Sequence, residues 1–214
     1  MNNFILNLLD WIYKKKCYCC GSSKESQIVC SNCYNELEFN SPMVNKIILG
    51  SNVYIAGCYD KYLQKIIRGL KYHNKKELAY YQAKFMYDYF KLLGLSGNFQ
   101  VVPVPLHRKR QKQRKYNHME LVAEEFCKLT NFVLNNNLII RVKNTKPQYK
   151  LSRQERMYNL DKAFQIDISK YQNLPILLID DICTSGSTFE SIILELQNYK
   201  INNIICFATT SPYS

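Results

Sequence analysis

Pro175-Ile-Leu-Leu-Ile-Asp-Asp-Ile-Cys-Thr-Ser-Gly-Ser-Thr188 decides the fold of this chain. Its apolar run, Ile176 to Ile179, has the length and continuous hydrophobicity of a short strand buried on both faces of a parallel sheet. Two carboxylates follow at once, Asp180 and Asp181. A turn of small residues comes next, Thr184-Ser185-Gly186-Ser187-Thr188, and then a helix with apolar positions at Ile192, Ile193 and Leu196. Buried parallel strands end at the crevice of an open α/β sheet, where ligands bind. Small residues let the backbone approach a ligand. Their N–H groups and the following helix N-terminus suit an anionic phosphate, and four hydroxyls add donors. The adjacent carboxylates can accept from sugar hydroxyls or help hold a hard metal ion. A plain strand followed by a capped helix would need only one such residue. A Walker B strand also ends in acids, but its partner G-x-x-x-x-G-K-[ST] occurs nowhere in the sequence.

The run resembles the phosphoribosyl-pyrophosphate (PRPP) signature of type I phosphoribosyltransferases: a hydrophobic run, two acids and a Thr-Ser-Gly-Ser-Thr loop. That resemblance implies that the loop amides of Thr184, Ser185, Gly186, Ser187 and Thr188 hold the 5′-phosphate. It implies that Asp180 and Asp181, as catalytic and ligand-binding acids, face the ribose, with magnesium bridging ribose and diphosphate.

Around this centre the sequence reads as an α/β domain over 51–214, a parallel sheet flanked by helices. Strands are expected at Val53–Tyr59, Phe99–Val104, Leu138–Val142 and Asn203–Thr209 beside the central one. Helices are expected at Tyr62–Leu70, with Leu63, Ile66, Ile67 and Leu70 on one face, at Lys76–Leu93, at Met119–Leu129 and up to Tyr199. The aromatic residues of 76–93 fit core and boundary positions better than a base-stacking platform. The second strand runs into a segment carrying Arg108, Lys109, Arg110, Lys112, Arg114 and Lys115 without an acid. A strand's C-terminal end places these cations near the crevice, where a diphosphate or a nucleic-acid backbone would suit them. Residues 145–164 form a polar arm too long for a plain α/β connection, with a candidate capping box at Ser152 and Glu155.

Residues 1–50 read as a separate unit. Phe4, Ile5, Leu8, Leu9 and Ile12 fit one face of a short helix. Cys17-x-x-Cys20 and Cys30-x-x-Cys33 then form two thiolate pairs with the spacing of a small zinc ribbon or knuckle. Gly21 suits the tight turn. Four protein ligands leave no open position, so the zinc is expected to be structural. Cys19 is a spare thiol beside the site. A redox C-x-x-C pair would call for a thioredoxin-like β-α-β context, which does not surround these residues.

The formal net charge is +12 over 214 residues, a surplus that favours nucleic acid, anionic membrane or phosphorylated ligands. No apolar run reaches the length of a membrane span. The start makes a poor signal peptide, so nine cysteines are expected as thiols or metal ligands in a reducing cytoplasm.

Taken in order, four features resemble the ComF family of competence-associated, phosphoribosyltransferase-like proteins. They are the four-cysteine finger, Pro103 to Tyr116-Asn117, the set Gln148/Leu151/Ser152/Arg156/Asn159/Ala163/Phe164, and Asp180 to Thr188. Lys115 departs from the family, which commonly has Gly before the aromatic-Asn pair. The resemblance implies a role in natural transformation: handling single-stranded DNA in the cytoplasm with PRPP bound. Arg108, Lys109, Arg110, Lys112, Arg114, Lys115, Asn117, Arg153 and Arg156 are then the candidates for DNA or diphosphate. The alternatives are a turning-over phosphoribosyltransferase and a zinc-bearing adaptor for a competence helicase or translocation protein.

Overall fold

In this computed structural model the described residues are 15–107, 111–112, 114–143 and 163–212. The expected N-terminal helix, Arg108, Lys109, Arg110, Arg153, Arg156 and the box at Ser152 lie outside them.

Eight strands and five α-helices make up the described chain. They run α1 (Ser31–Asn35), β1 (Lys46–Ile48), β2 (Ser51–Cys58), α2 (Lys61–Tyr72), α3 (Leu78–Leu92), β3 (Gln100–Pro103), α4 (His118–Thr130), β4 (Val133–Leu134), β5 (Ile139–Arg141), β6 (Phe164–Ile166), β7 (Ile176–Ile182), α5 (Ser187–Asn198) and β8 (Ile204–Ser211). Six strands form one sheet in the order β1-β2-β8-β7-β3-β4, parallel throughout except for the antiparallel β1. The chain is thus α/β, as the continuous apolar strands require.

β7 sits between β8 and β3, and its side chains alternate between two cores. Leu177 and Ile179 join α2, α3 and α4 on one face. Ile176 and Leu178 join Phe189, Ile192, Ile193 and Leu196 of α5 on the other. Phe85, Tyr89 and Phe90 of α3 are buried among Phe99, Phe126 and Phe207, with edge-to-face and stacked rings. The aromatic residues of this helix therefore build core, and Tyr80 stays at the surface.

Residues 138–142 do not join the main sheet. β5 pairs antiparallel with β6 in a separate two-stranded sheet packed on α5. The edge beside β3 is taken instead by Val133 and Leu134. Asn135 then turns the chain away: its amide donates to Gln100 Oε1 (3.0 Å) and Lys170 O (2.9 Å), and its Oδ1 accepts from Leu138 N (3.1 Å).

The expected boundary at residue 50 falls inside a hairpin. Lys46–Ile48 pairs with Ser51–Val53, and Leu49 and Gly50, at φ 48° and 82°, make the two-residue turn. The finger also shares a core with the main body, because Val29, Cys30, Cys33 and Leu37 are buried together with α2 and α3. Gly69 of α2 permits that docking: a Cβ there would lie 2.9 Å from the Tyr18 ring and 2.3 Å from Leu78 Cδ1.

Candidate functional site

β7 extends through Ile182, so both acids are strand residues rather than a turn after the strand. Consecutive strand side chains leave on opposite faces. Asp181 follows the odd positions toward α2 and α4, where Lys71 Nζ reaches its Oδ2 at 2.6 Å and His118 Nε2 hydrogen-bonds the same oxygen. Asp180 follows the even positions and faces the side that carries Arg141 of β5.

The two carboxyls are held in different states. Burial works against the Asp181 carboxylate, but the Lys71 ammonium and His118 outweigh it and hold the carboxyl well below the ordinary range. Burial, reinforced by the neighbouring Asp181 charge, pushes Asp180 up to about 7. Burial also lowers His118, so a neutral ring donating its Nε2–H to Asp181 is the form that fits.

The turn after β7 is built for close approach. Gly186 has φ 88° at the N-cap of α5, and a Cβ there would come within 2.5 Å of Ile48 Cδ1. Ser185 Oγ and Ser187 Oγ hydrogen-bond each other at 2.7 Å. The β1–β2 hairpin braces the turn: Lys46 Nζ donates to Thr184 O (2.8 Å), and Gln197 Nε2 of α5 donates to Leu49 O (3.0 Å).

These groups open on a cleft of about 1050 Å³ at the carboxyl ends of β2, β8, β7 and β3, the position where open α/β sheets bind ligands. Asp180, Asp181, Thr184 and Thr188 line it together with Arg68, Lys71, Arg114, Lys115 and Arg141. Of the predicted basic segment, Arg114 and Lys115 thus reach the cleft, while Lys112 is exposed and not among its lining residues.

Asn117 lies at the start of α4. It is buried as the N-cap of α4, where Oδ1 accepts from Met119 N (3.1 Å) and Nδ2 donates to Glu120 Oε1 (3.1 Å). Both ends of its amide serve the helix rather than an external phosphate.

Lys115 has φ 66°, so the turn before Tyr116-Asn117 is as tight as a glycine would make it. A side chain in that region costs about 1–2 kcal/mol. Lys115→Gly is therefore expected to gain about 1 kcal/mol in urea unfolding, the greater freedom of glycine in the unfolded chain taking back the rest. An unchanged or lower midpoint would contradict a strained turn.

Sequence reading missed Lys71, His118, Arg141, Arg68 and Lys46. Arg68 and Arg141 sit on elements that the sequence foresees, where a polar residue reads as solvent-facing until the cleft is known, whereas Lys71 and His118 belong to the ends of α2 and α4 just beyond the expected bounds Tyr62–Leu70 and Met119–Leu129. Lys46 sits on β1, inside the 1–50 stretch that reads as a separate unit.

In the finger, the sulfurs of Cys17, Cys20, Cys30 and Cys33 all lie within 4.8 Å of one another. Cys20 and Cys30 are 3.7 Å apart at Sγ, close to the edge of about 3.8 Å that a tetrahedron of Zn–S bonds requires. Gly21, at φ 79°, closes the first knuckle with its N–H on Cys17 O (2.7 Å), and Cys30 N points at Cys17 Sγ (3.3 Å). Burial opposes the Cys17 thiolate, but backbone N–H groups of Cys30, Cys20 and Cys19 bring it down to about 6. The four thiols thus form a group that could hold zinc, with Cys19 buried beside it.

No family model matches the chain. Among curated proteins, competence protein F of Haemophilus influenzae is 29% identical over 193 residues, spanning 87% of this chain and 81% of that protein. Competence protein ComFC of Bacillus subtilis is 25% identical over 173 residues, 80% of this chain and 67% of that one. The chain is a homologue of the ComF proteins. DNA utilization protein YhgH of Salmonella typhimurium is 28% identical over 138 residues, which are 63% of this chain and 60% of that relative. Like its sequence, the described part of this ComF homologue contains no helix long and apolar enough to cross a membrane.

Proposed function

We propose that this protein acts in natural transformation or a related use of incoming DNA, in the cytoplasm, by binding PRPP or a similar sugar phosphate together with single-stranded DNA. One observation carries the reading: a single cleft gathers Asp180, Asp181 and the two ends of the turn, Thr184 and Thr188, with five cations contributed by α2, β5 and the segment before α4. The turn amides and the N-terminus of α5 would take the 5′-phosphate. Asp180 would accept from the ribose hydroxyls, and Asp181, whose Oδ2 is engaged by Lys71 and His118, would offer Oδ1. Arg114 and Lys115 would meet diphosphate or DNA. The names of the relatives and the net charge of +12 support the DNA side.

Magnesium fits the donor set. Magnesium is usually held by one or two carboxylates and completed by substrate phosphates and water. Asp180 supplies such an oxygen at the cleft, and the ion would neutralise charge on the diphosphate.

Calorimetry with magnesium and PRPP tests the reading. Saturable heat is expected, with weaker affinity in Asp180→Asn, and no heat for PRPP or ribose 5-phosphate would overturn it. Asp180 also sets a pH dependence. Its folded pKa of about 7 lies above the usual 3.8, so the ligand-free protein is expected to lose stability as pH rises between those values. Binding that needs the carboxylate must remove its proton. Affinity should therefore rise by up to about tenfold per pH unit below 7 and level off above it, and Asp180→Asn should flatten this trend. A pH-independent wild-type affinity would remove Asp180 from the ligand site.

Turnover is the second reading, transfer of phosphoribosyl to a base or another acceptor. The cleft volume of about 1050 Å³ favours it, since a sugar phosphate leaves part of that space free. Acceptor-dependent pyrophosphate release that disappears in Asp180→Asn/Asp181→Asn would establish it.

A further inference from the structure

The helix α2 has two faces. Leu63, Ile66, Ile67 and Leu70 are buried against the sheet. Gln64, Arg68, Lys71 and Tyr72 fall at positions i, i+4, i+7 and i+8, on one stripe. Such a polar stripe ordinarily faces bulk water, but here all four residues line the cleft. Their neighbours in the lining are Asn74, which follows the helix, and Arg114.

Tyr72 is 62% exposed, and the Arg114 guanidinium stacks over its ring at 5.1 Å from the centroid. Lys71 is engaged by Asp181. Among the described residues, no ion pair to an acid involves Arg68, Arg114 or Lys115. An accessible aromatic ring backed by a guanidinium, flanked by unneutralised cations and two side-chain amides, is a composite surface. Phosphate alone would need only the cations. The ring adds a face on which a nucleobase stacks, and the amides of Gln64 and Asn74 add donors and acceptors for a base edge.

We infer that this stripe of α2 is a nucleobase subsite: Tyr72, backed by Arg114, stacks on one unpaired base of a single-stranded nucleic acid while Arg68 and Lys115 meet the adjoining phosphates. The inference rests on the DNA-binding reading given above and adds where, and through which group, the strand is held. A paired base cannot present its face in this way, so the subsite selects single strands.

Fluorescence anisotropy with a labelled oligothymidylate and an abasic oligonucleotide of equal length tests it, since the two share a backbone charge and differ only in bases. The wild type is expected to bind the thymidine strand roughly 5- to 150-fold more tightly, the range for one stacked base. Tyr72→Ala should bring the thymidine strand toward the abasic affinity without changing the salt dependence, because no phosphate contact is lost. Tyr72→Trp should keep the preference, and its added indole emission should be quenched by the thymidine strand and not by the abasic one. Equal affinity for the two strands, or a Tyr72→Ala protein that keeps the preference, would overturn the subsite and leave DNA binding through the cations intact. If the wild type binds neither strand, the DNA-binding reading and this inference fall together. Tyr72 is mostly exposed, so its substitutions leave the core untouched.

Discussion

A Cys33→Ser protein is expected to lose its metal and its finger together. In the native chain, zinc should be found at one ion per protein without addition, and a strong chelator should lower the thermal midpoint. Structural zinc sites of this kind bind with about 10–16 kcal/mol of apparent free energy, and that energy is folding energy for the segment. Here the loss would spread. Val29, Cys30, Cys33 and Leu37 belong to the same buried cluster as Leu63, Ile66 and Ile67 of α2, and Tyr34 donates to Asp88 Oδ2 of α3 at 2.9 Å. Transmission of even a third of the binding energy would lower the midpoint by about 10 °C. A metal-free protein with an unchanged melt would reject the zinc assignment.

The second large effect is expected at Lys71. Its ammonium and the Asp181 carboxylate have side chains only 15% and 8% exposed and lie 2.6 Å apart. Removing one partner of a buried pair leaves the other charge uncompensated, at a cost of about 3–5 kcal/mol. Lys71→Met should therefore be strongly destabilised in urea unfolding. His118 remains beside Asp181, so the cost belongs at the lower end of that range. The pH dependence identifies the cause. The folded pKa of Asp181 lies below its ordinary value, so this group contributes stability above about pH 4, lost as pH falls. In Lys71→Met that contribution should shrink, and the two proteins should converge in acid. Asp181→Asn in the Lys71→Met background should recover part of the loss, since a neutral amide no longer needs the ammonium. Additive losses in the double variant would show that the pair is not coupled.

Much of the architecture was legible because parallel strands and amphipathic helices leave strong periodic traces. The run 176–179, the apolar face of 62–70 and the paired C-x-x-C knuckles correspond closely to β7, α2 and the converging sulfurs. The misses share a physical origin. Lys46–Ile48 is a three-residue edge strand, too short to show alternation, and only its Leu49-Gly50 turn places it on the sheet. The segment 138–142 has the composition of a strand, but its partner is chosen by Asn135, whose amide donates to Gln100 and Lys170, both distant in the chain.

In the site, the acids and the turn announced themselves by local spacing. Lys71 and His118 did not, because their role depends on two helices converging on one carboxylate oxygen. The consecutive acids looked equivalent, and strand alternation sends them to different environments, one anchored and one titrating near neutrality.

The hairpin that braces the 184–188 turn belongs to the same stretch of chain as the finger. From Cys33 the backbone passes through the Phe39–Gly57 bridge and Asn40 N on Ala56 O (2.9 Å), and only then reaches Lys46 and Ile48 above the turn. A slackened anchor at one end would let the clamp at the other drift. Batches that differ in metal content would then report different sugar-phosphate affinities for an unaltered amino-acid sequence.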